Sequence, residues 1–289
     1  PPTEANFLRY ALKKGLRQQA ELGANSFKFG LISSTDTHIA APGLAMEKNH
    51  PGHGGAGMGA REGVPPGLPD ELEYGPGGLA VLYAEENSRD ALFAAMQRRE
   101  AYATSGTRPV LRFFGGWDYP RSLCSASDQV AQGYAGGVPM GGDLPPAGPA
   151  GNAPRFLVSA SMDNGTPEYP GSALQRIQLV KGWYAAGEVH ERVLDVAGGD
   201  NGATVDIHTC EASGGGHRQL CSVWQDTDFD PAAPAFYYAR LLENPTCRWS
   251  QRICAEAGVR CDNPASIPEG MENCCASEHQ KVIQERAWS

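Results

Sequence analysis

Two side chains of metal-ligand type stand close together near the start of the chain. Asp36 and His38 flank Thr37, just after the polar residues 33–35. A carboxylate and an imidazole at this spacing can reach one site where the backbone leaves a strand, and both are good ligands for zinc, manganese or iron. The pattern alone is weak, because an ordinary loop in which Asp caps a turn and His is exposed has the same sequence.

Arg108 is the second candidate for chemistry. It follows the turn-like sequence 104–107, so its guanidinium could hold an anionic substrate group through two hydrogen bonds. An Arg exposed at the start of a strand explains the same sequence equally well. His50 and His53 lie at the beginning of a long stretch rich in glycine and proline, which could be an active-site lid. A solvated loop is the simpler interpretation of that stretch.

The residues that precede the Asp36–His38 pair predict a helix followed by a strand. An apolar stripe at helical spacing is formed by Leu8, Leu12 and Leu16. The apolar run 27–32 then predicts a buried strand that ends at the pair. In α/β barrels, catalytic side chains gather just past the C-terminal ends of strands, so this order favours an active-site face.

Further along, the pattern changes from mixed helix and strand to strand alone. Residues 79–83 predict a strand, 88–101 a helix and 110–114 another strand. A glycine- and proline-rich segment, 133–154, predicts a loop. Beyond it, apolar alternation in short runs indicates the strands of an antiparallel sandwich. We therefore divide the chain into an α/β part, 1–114, and a β-rich part, 115–289.

The cysteines indicate disulfide bonds. Five of the eight fall in the last part of the chain, at positions 247, 254, 261, 274 and 275, and the others are Cys124, Cys210 and Cys221. Their intervals fit poorly with the close pairs of a structural zinc site, and free thiols are a third reading. A disulfide between Cys210 and Cys221 across the turn 213–216 is one geometrically reasonable pairing. Disulfides imply an oxidising compartment, so a periplasmic or secreted location is expected.

Charge and hydropathy exclude some functions. The net charge is −9, and no run of Lys or Arg stands out, so nucleic acid is a poor partner. No stretch approaches the roughly 20 apolar residues that a membrane helix needs. Hydrophobic residues make up 41% of the chain, which is enough to build a packed core.

Several segments resemble one family across nearly the whole chain. The segment 30–38 resembles the last metal-binding motif of the PHP superfamily of metal-dependent phosphoesterases, in which a strand ends in Ser-Asp-x-His. The wider chain is similar to the DUF3604 proteins, a PHP-related family of unassigned function. The matching segments are 34–43, 84–87, 102–108, 180–183, 235–240, 274–275 and 283–288. The resemblance implies the C-terminal part of a PHP-like (β/α) barrel followed by a β-rich, sandwich-like domain with a cysteine-rich tail.

The resemblance also implies a function, with one departure from the family pattern. It implies a metal-dependent hydrolase, with phosphoesters as one substrate class and divalent zinc, manganese or iron bound by Asp36 and His38. Arg108 would bind a small anionic substrate. PHP proteins begin with a His-x-His motif, and none of the seven histidines here is so arranged. We therefore expect a preceding N-terminal part of the same protein to complete the site.

Two other functions stay open at this point. The first is a non-catalytic binding module in which the sandwich and its tail recognise a partner and the metal site is incomplete. The second is an acyl- or amide-hydrolysing enzyme with the same metal-site logic. Metal content separates the binding module from the two enzymes, and substrate screening separates the enzymes from each other.

Overall fold

Antiparallel strands dominate the computed structural model, which describes residues 3–54, 67–146 and 152–289. Four α-helices are found in those ranges: α1 Leu8–Leu22, α2 Arg89–Arg98, α3 Gln129–Gly136 and α4 Trp249–Glu256. The strands are β1 Leu79–Leu82, β2 Ala101–Thr104, β3 Val110–Gly116, β4 Gly137–Pro139, β5 Arg155–Ser161, β6 Leu174–Ala185, β7 Glu188–Gly198, β8 Thr204–Val205, β9 Ala212–Ser213, β10 Gln219–Gln225, β11 Ala235–Glu243, β12 Thr246–Cys247, β13 Val282–Ile283 and β14 Arg286–Trp288.

Two sheets carry most of these strands. The larger has six strands in the order β1-β2-β14-β11-β6-β7, and the smaller has four in the order β10-β5-β3-β4. The long hairpin β6–β7 turns at Ala186 and Gly187, whose φ angles are +52° and +84°. Positive φ at both central residues suits the twist of a two-residue hairpin loop.

The main core lies between the two sheets. Leu111 and Val158 from the smaller sheet and Ile177, Leu179 and Leu241 from the larger are all completely buried. Alternate residues of each strand point to this interface, which is the pattern that the apolar alternation predicted. Burial of one such side chain contributes about 1.5–3 kcal/mol. The β-rich part of the prediction is therefore confirmed as a set of packed antiparallel sheets.

The expected α/β barrel is not seen in the residues that the structure describes, where every strand pair is antiparallel. The sequence predicted the order strand, helix, strand over 79–83, 88–101 and 110–114, which was assigned to the α/β part. The chain instead leaves the sheet at Leu82 and re-enters directly opposite, at Ala101, so α2 lies within a hairpin connection. Strand β14, from the end of the chain, then pairs with β2. The division at residue 114 stays a prediction, although strands from both sides of it share these sheets.

The prediction of a strand at 27–32 is wrong. This run is not part of a sheet, and of its apolar side chains Leu31 is buried while Phe29 and Ile32 are 46% and 67% exposed. Its backbone is held by a side chain, since Arg99 donates from Nη1 to the carbonyl oxygen of Lys28 at 3.1 Å. A strand needs a neighbouring strand, and an apolar run does not specify one.

The predicted helices are confirmed, with changes at the ends of the second. Helix α1 stops at Gly23, whose φ is +74° and whose N–H donates to the carbonyl of Gln19. Helix α2 has Ser88 as its N-cap, with Oγ accepting from Ala91 N at 3.3 Å, and it ends before Arg99 rather than at residue 101. The segment 133–154, predicted as loop, contains the end of α3 and all of β4; its residues 147–151 lie outside the described ranges.

All eight cysteines form disulfides, which confirms that interpretation over a zinc site. The pairs are Cys124–Cys221, Cys210–Cys247, Cys254–Cys274 and Cys261–Cys275. The suggested pair of Cys210 with Cys221 is wrong. The turn after Cys210 does not join neighbouring strands, because β9 pairs with β8 whereas β10 pairs with β5. None of the helices in the described ranges is long and apolar enough to cross a membrane.

Candidate functional site

Asp36 and His38 lie together on the surface. His38 Nε2 is 3.8 Å from Asp36 Oδ1, and the two side chains are 61% and 90% exposed. Asp36 has a left-handed backbone, with φ of +54°, a conformation in which Asp is enriched among non-glycine residues. The carboxylate and the imidazole are therefore close together, although no strand leads into the pair, and their role as metal ligands stays a prediction.

The segment that carries this pair is fixed to the start of β1. Gly78 N donates to the carbonyl oxygen of Ser34 at 2.8 Å. Gly77 has φ of +74°, and a Cβ added to it would lie 2.5 Å from the same oxygen. The close approach therefore requires glycine at this position.

A second group of ligand-type side chains lies beside this segment. His50 Nε2 is 3.3 Å from Asp70 Oδ2, and His53 Nδ1 is hydrogen-bonded to the same oxygen. One ligand atom from each of the three residues lies within 4.8 Å of the other two. We call His50, His53 and Asp70 the His-His-Asp cluster.

A glycine and an aromatic wall position the His-His-Asp cluster. Gly52, between the two histidines, has φ of +84°, and a Cβ there would lie 2.4 Å from the carbonyl oxygen of Pro69. This contact brings the histidine segment against the residue that precedes Asp70. The His50 ring packs on Trp249 and the His53 ring on Tyr74, with centroids 5.2 and 5.8 Å apart.

Burial and hydrogen bonding set the charge of the cluster. Burial lowers the pKa of His50, and this outweighs the opposing effect of Asp70. Burial by itself would raise the pKa of Asp70, but hydrogen bonds from His53, the Glu71 N–H and His50 outweigh it, so that pKa is lowered. A neutral imidazole at His50 and an ionised carboxylate at Asp70 are the forms in which these groups bind metal ions.

The Asp36–His38 segment and the cluster are joined through His53. Its carbonyl oxygen accepts from His38 N at 2.7 Å and from Thr37 Oγ1 at 3.3 Å. Gly54, the next residue, has a positive φ and lies so close to Ile39 that a Cβ would be 2.1 Å from its Cγ2. The segments that carry the two groups of ligand-type side chains are therefore hydrogen-bonded to each other.

Arg108 lies on a turn that contacts Gly43 and Ala45, in the segment between His38 and His50. Its Nη2 donates to the carbonyl oxygen of Gly43 at 2.9 Å, and its backbone N–H donates to Asp163 Oδ2 at 2.9 Å. Gly106, with φ of +142°, would place a Cβ 2.3 Å from the carbonyl oxygen of Ala45. Arg108 is exposed, so its substrate-binding role stays a prediction, and the observed contacts position the loop around Gly43.

Two buried carboxyl groups lie under this turn. Thr107 Oγ1 donates to Glu243 Oε1 at 2.9 Å, and Ser105 Oγ donates to Glu285 Oε2. Burial raises the pKa of Glu243 to about 8 and that of Glu285 to about 7, against the opposing effect of these hydroxyl groups. The folded protein therefore retains protons on these two carboxyl groups up to about neutral pH.

The His-His-Asp cluster was missed by sequence reasoning. His50 and His53 were interpreted as part of a solvated loop, yet His50 is only 8% exposed, and Asp70 was not singled out. The available signal was the His-x-x-His spacing around a glycine, followed by an Asp after an apolar residue and a proline. Part of the predicted loop 51–78, residues 55–66, lies outside the described ranges.

Comparison with known proteins identifies a family and no further relative. No curated protein and no solved structure matches the chain significantly. A family model described as a protein of unknown function, DUF3604, matches residues 2–289. The match covers nearly the full length, including both groups of metal-ligand side chains and the disulfide-bonded tail. This chain therefore belongs to the DUF3604 family.

Proposed function

We propose that this chain is part of a metal-dependent hydrolase that acts on small anionic substrates, with phosphoesters as the first class to test. One observation carries the proposal: the exposed Asp36–His38 pair and the His-His-Asp cluster lie on neighbouring segments, which are hydrogen-bonded at the His53 carbonyl. Ligand-type side chains that lie on neighbouring segments are a starting point for a candidate active site. The expected relation to the PHP superfamily stays part of this proposal.

The donors fit the ions that the proposal requires. Asp36 and His38 offer one carboxylate oxygen and one imidazole nitrogen, 3.8 Å apart at closest, which suits zinc, manganese or iron. Two protein ligands do not complete a site, and the exposure of both side chains leaves room for further ligands. A bound divalent ion would supply Lewis acidity, which lowers the pKa of a coordinated water and neutralises charge on a substrate oxygen.

The residues of the chain have separate tasks in this proposal. Asp36 and His38 hold the ion and orient it. Arg108 positions the loop through Gly43, and its exposed guanidinium binds an anionic substrate group. Neither task requires nucleic acid or a membrane. The four disulfides are consistent with an oxidising compartment, and we place the protein in the periplasm or outside the cell.

A non-catalytic binding module is the second candidate, and the incompleteness of the exposed pair favours it. With two ligands from the Asp36–His38 segment, the ion could be absent and the surface could serve recognition alone. Hydrolysis separates this candidate from the first.

The test measures hydrolysis of p-nitrophenyl phosphate and p-nitrophenyl acetate with added zinc, manganese or iron(II). It uses this chain and a longer protein that contains it. We expect Asp36→Ala and His38→Ala each to lower kcat/KM by about 100-fold or more, as loss of a metal ligand does. His217→Ala, at an exposed histidine elsewhere, is the matched control and should keep full activity. If neither this chain nor the longer protein hydrolyses either ester, with or without added metal, the binding module is favoured.

A further inference from the structure

We infer that His50, His53 and Asp70 form a metal site of their own, which binds one zinc-type divalent ion within this chain. The inference concerns residues other than Asp36 and His38 and does not depend on hydrolytic activity. Three ligand atoms from these residues already lie within 4.8 Å of one another, which is the arrangement that a single ion requires.

The identity of the donors selects the ion. Two imidazole nitrogens and one carboxylate oxygen match the ligand sets of zinc sites with three protein ligands and one open position. Calcium and magnesium prefer oxygen ligands only, so they are poor occupants. Cysteine cannot contribute, because all eight cysteines are in disulfides.

The convergence of both rings on one oxygen distinguishes this cluster from an ordinary hydrogen-bonded histidine. His50 Nε2 and His53 Nδ1 both lie against Asp70 Oδ2, while Asp70 Oδ1 accepts from the Glu71 N–H at 3.0 Å. An acceptor that merely oriented one imidazole would not need the second. The three ligand atoms therefore lie close together, and a bound ion would take the place of the protons that these hydrogen bonds share.

The surroundings hold the donors in place before any ion binds. Asp70 and His50 are 6% and 8% exposed, and Leu68, Leu72 and Trp249 form a small core beside them. The rings of His50 and His53 are fixed by packing on Trp249 and Tyr74. Preorganised ligands of this kind lose little conformational freedom on binding, which favours binding of an ion. His53 remains partly exposed, which provides access for the ion and for a fourth ligand.

A bound metal ion would link two parts of the chain. His53 and Asp70 are 17 residues apart in the sequence, and the same ion would bind both. His53 also holds the Asp36–His38 segment through its carbonyl oxygen. The ion would therefore stabilise the loop on which the exposed pair stands, and metal loss would loosen that loop.

The experiment titrates zinc into this chain, stripped with a chelator, by isothermal calorimetry, with magnesium as a comparison. We expect one zinc equivalent and no magnesium binding. Asp70→Asn and His53→Gln keep the shape of each side chain, and each should weaken zinc binding by about 100-fold or more. His217→Gln, at an exposed histidine outside both groups of ligand-type side chains, is the matched control and should leave the zinc affinity unchanged. Circular dichroism of the metal-free variants verifies that they are folded.

Cobalt(II) provides a measurement that needs no variant. In the wild-type chain, two imidazoles and a carboxylate would bind cobalt(II). The bound ion should give visible absorption bands without sulfur-to-metal charge transfer. Absence of zinc binding by the folded wild-type chain would overturn the inference, and so would equal weakening by His217→Gln. Retained one-to-one zinc binding in a protein without hydrolytic activity would instead refute the proposed function and support this site.

Discussion

The backbone N–H of Glu243 donates to the carbonyl oxygen of Glu285 at 2.9 Å, and both carboxyl groups are buried. Glu243 is completely inaccessible, and its Oε2 has no hydrogen-bond partner among the described residues. An ionised carboxylate in such a place is costly, so the folded protein retains the protons. The pair lies under the turn that carries Arg108, which couples the stability of this region to pH.

Stability should therefore fall as the pH rises from acid to weakly alkaline values. The folded-state pKa values of Glu243 and Glu285, about 8 and about 7, exceed the ordinary value of 4.5. Between 4.5 and these values the folded state binds more protons than the unfolded state. The contribution is fully present below pH 4.5 and is lost as the pH passes through about 7 and about 8. Urea unfolding at several pH values should show a slope near 1.4 kcal/mol per pH unit for each group.

A neutral substitute isolates the contribution of one carboxyl. Glu243→Gln should flatten the slope above pH 5 and make the protein relatively more stable at pH 8. Glu188→Gln, at an exposed position in β7, is the control and should leave the slope unchanged. Identical pH profiles for wild type and Glu243→Gln would contradict the assignment.

Gly52 should be much less tolerant of a side chain than a glycine with the same backbone. Gly52 and Gly187 both have φ of +84°, but a Cβ on Gly187 meets no atom within 4 Å, whereas one on Gly52 lies 2.4 Å from Pro69 O. We expect Gly187→Ala to cost about 1 kcal/mol, from the backbone conformation alone. Gly52→Ala should cost about 2–3 kcal/mol more, because either Pro69 or the His-His-Asp cluster must move.

Thermal and urea unfolding of the two variants measures this difference, and zinc affinity reports on the geometry of the cluster. Gly52→Ala should weaken zinc binding, and Gly187→Ala should not. Equal destabilisation by the two substitutions would mean that the contact with Pro69 contributes nothing.

Elements with a local sequence signal were predicted well, whereas the pairing between distant segments was not. Helix α1 and its end at Gly23 follow from periodicity and from the freedom of glycine, which are properties of one segment. The run 27–32 has the composition of a strand, but strand formation needs a second strand beside it. Strand β14 shows the opposite case. It has only three residues, and it forms a strand because it pairs with β2 on one side and β11 on the other.

The candidate site was predicted in part for the same reason. Asp36 and His38 are neighbours in sequence, so their proximity was predictable. Asp70 meets His53 across 17 residues, through the contact between Gly52 and Pro69, and the His-x-x-His spacing does not show which carboxylate the histidines meet. The disulfide partners were unpredictable for a similar reason, since Cys124 and Cys221 are 97 residues apart.

The disulfide that closes the longest loop should contribute most to stability. Cys124–Cys221 spans 97 residues and Cys261–Cys275 spans 14. In the chain-entropy description, loops of about these lengths correspond to roughly 4.7 and 3 kcal/mol. Paired Cys→Ser replacement should therefore destabilise the protein more in the first case, as measured by the unfolding midpoint in urea. A larger loss from the shorter loop would show that local contacts outweigh loop closure.

A buried ion pair between the two sheets gives the last prediction. Lys181, on β6, donates from Nζ to Asp226 Oδ2 at 2.5 Å and to the Asp228 carbonyl oxygen at 3.1 Å. The Lys181 and Asp226 side chains are only 8% and 3% exposed. Tyr237 also donates to Asp226 Oδ2, at 2.5 Å. Lys181→Ala would leave the Asp226 charge buried without its cation, so the free energy of unfolding should fall by about 3–5 kcal/mol.

An exposed pair in the same region serves as the control. Arg192 and Asp228 are 2.8 Å apart, with side chains 56% and 68% exposed, so Arg192→Ala should cost at most about 1 kcal/mol. The double variant Lys181→Met/Asp226→Leu removes both buried charges, and it should be more stable than Lys181→Ala because no unpaired carboxylate remains. Urea unfolding of the three variants at pH 6 measures the order. If Lys181→Ala lost no more stability than Arg192→Ala, water would have to reach Asp226 and the pair would not be part of the buried core.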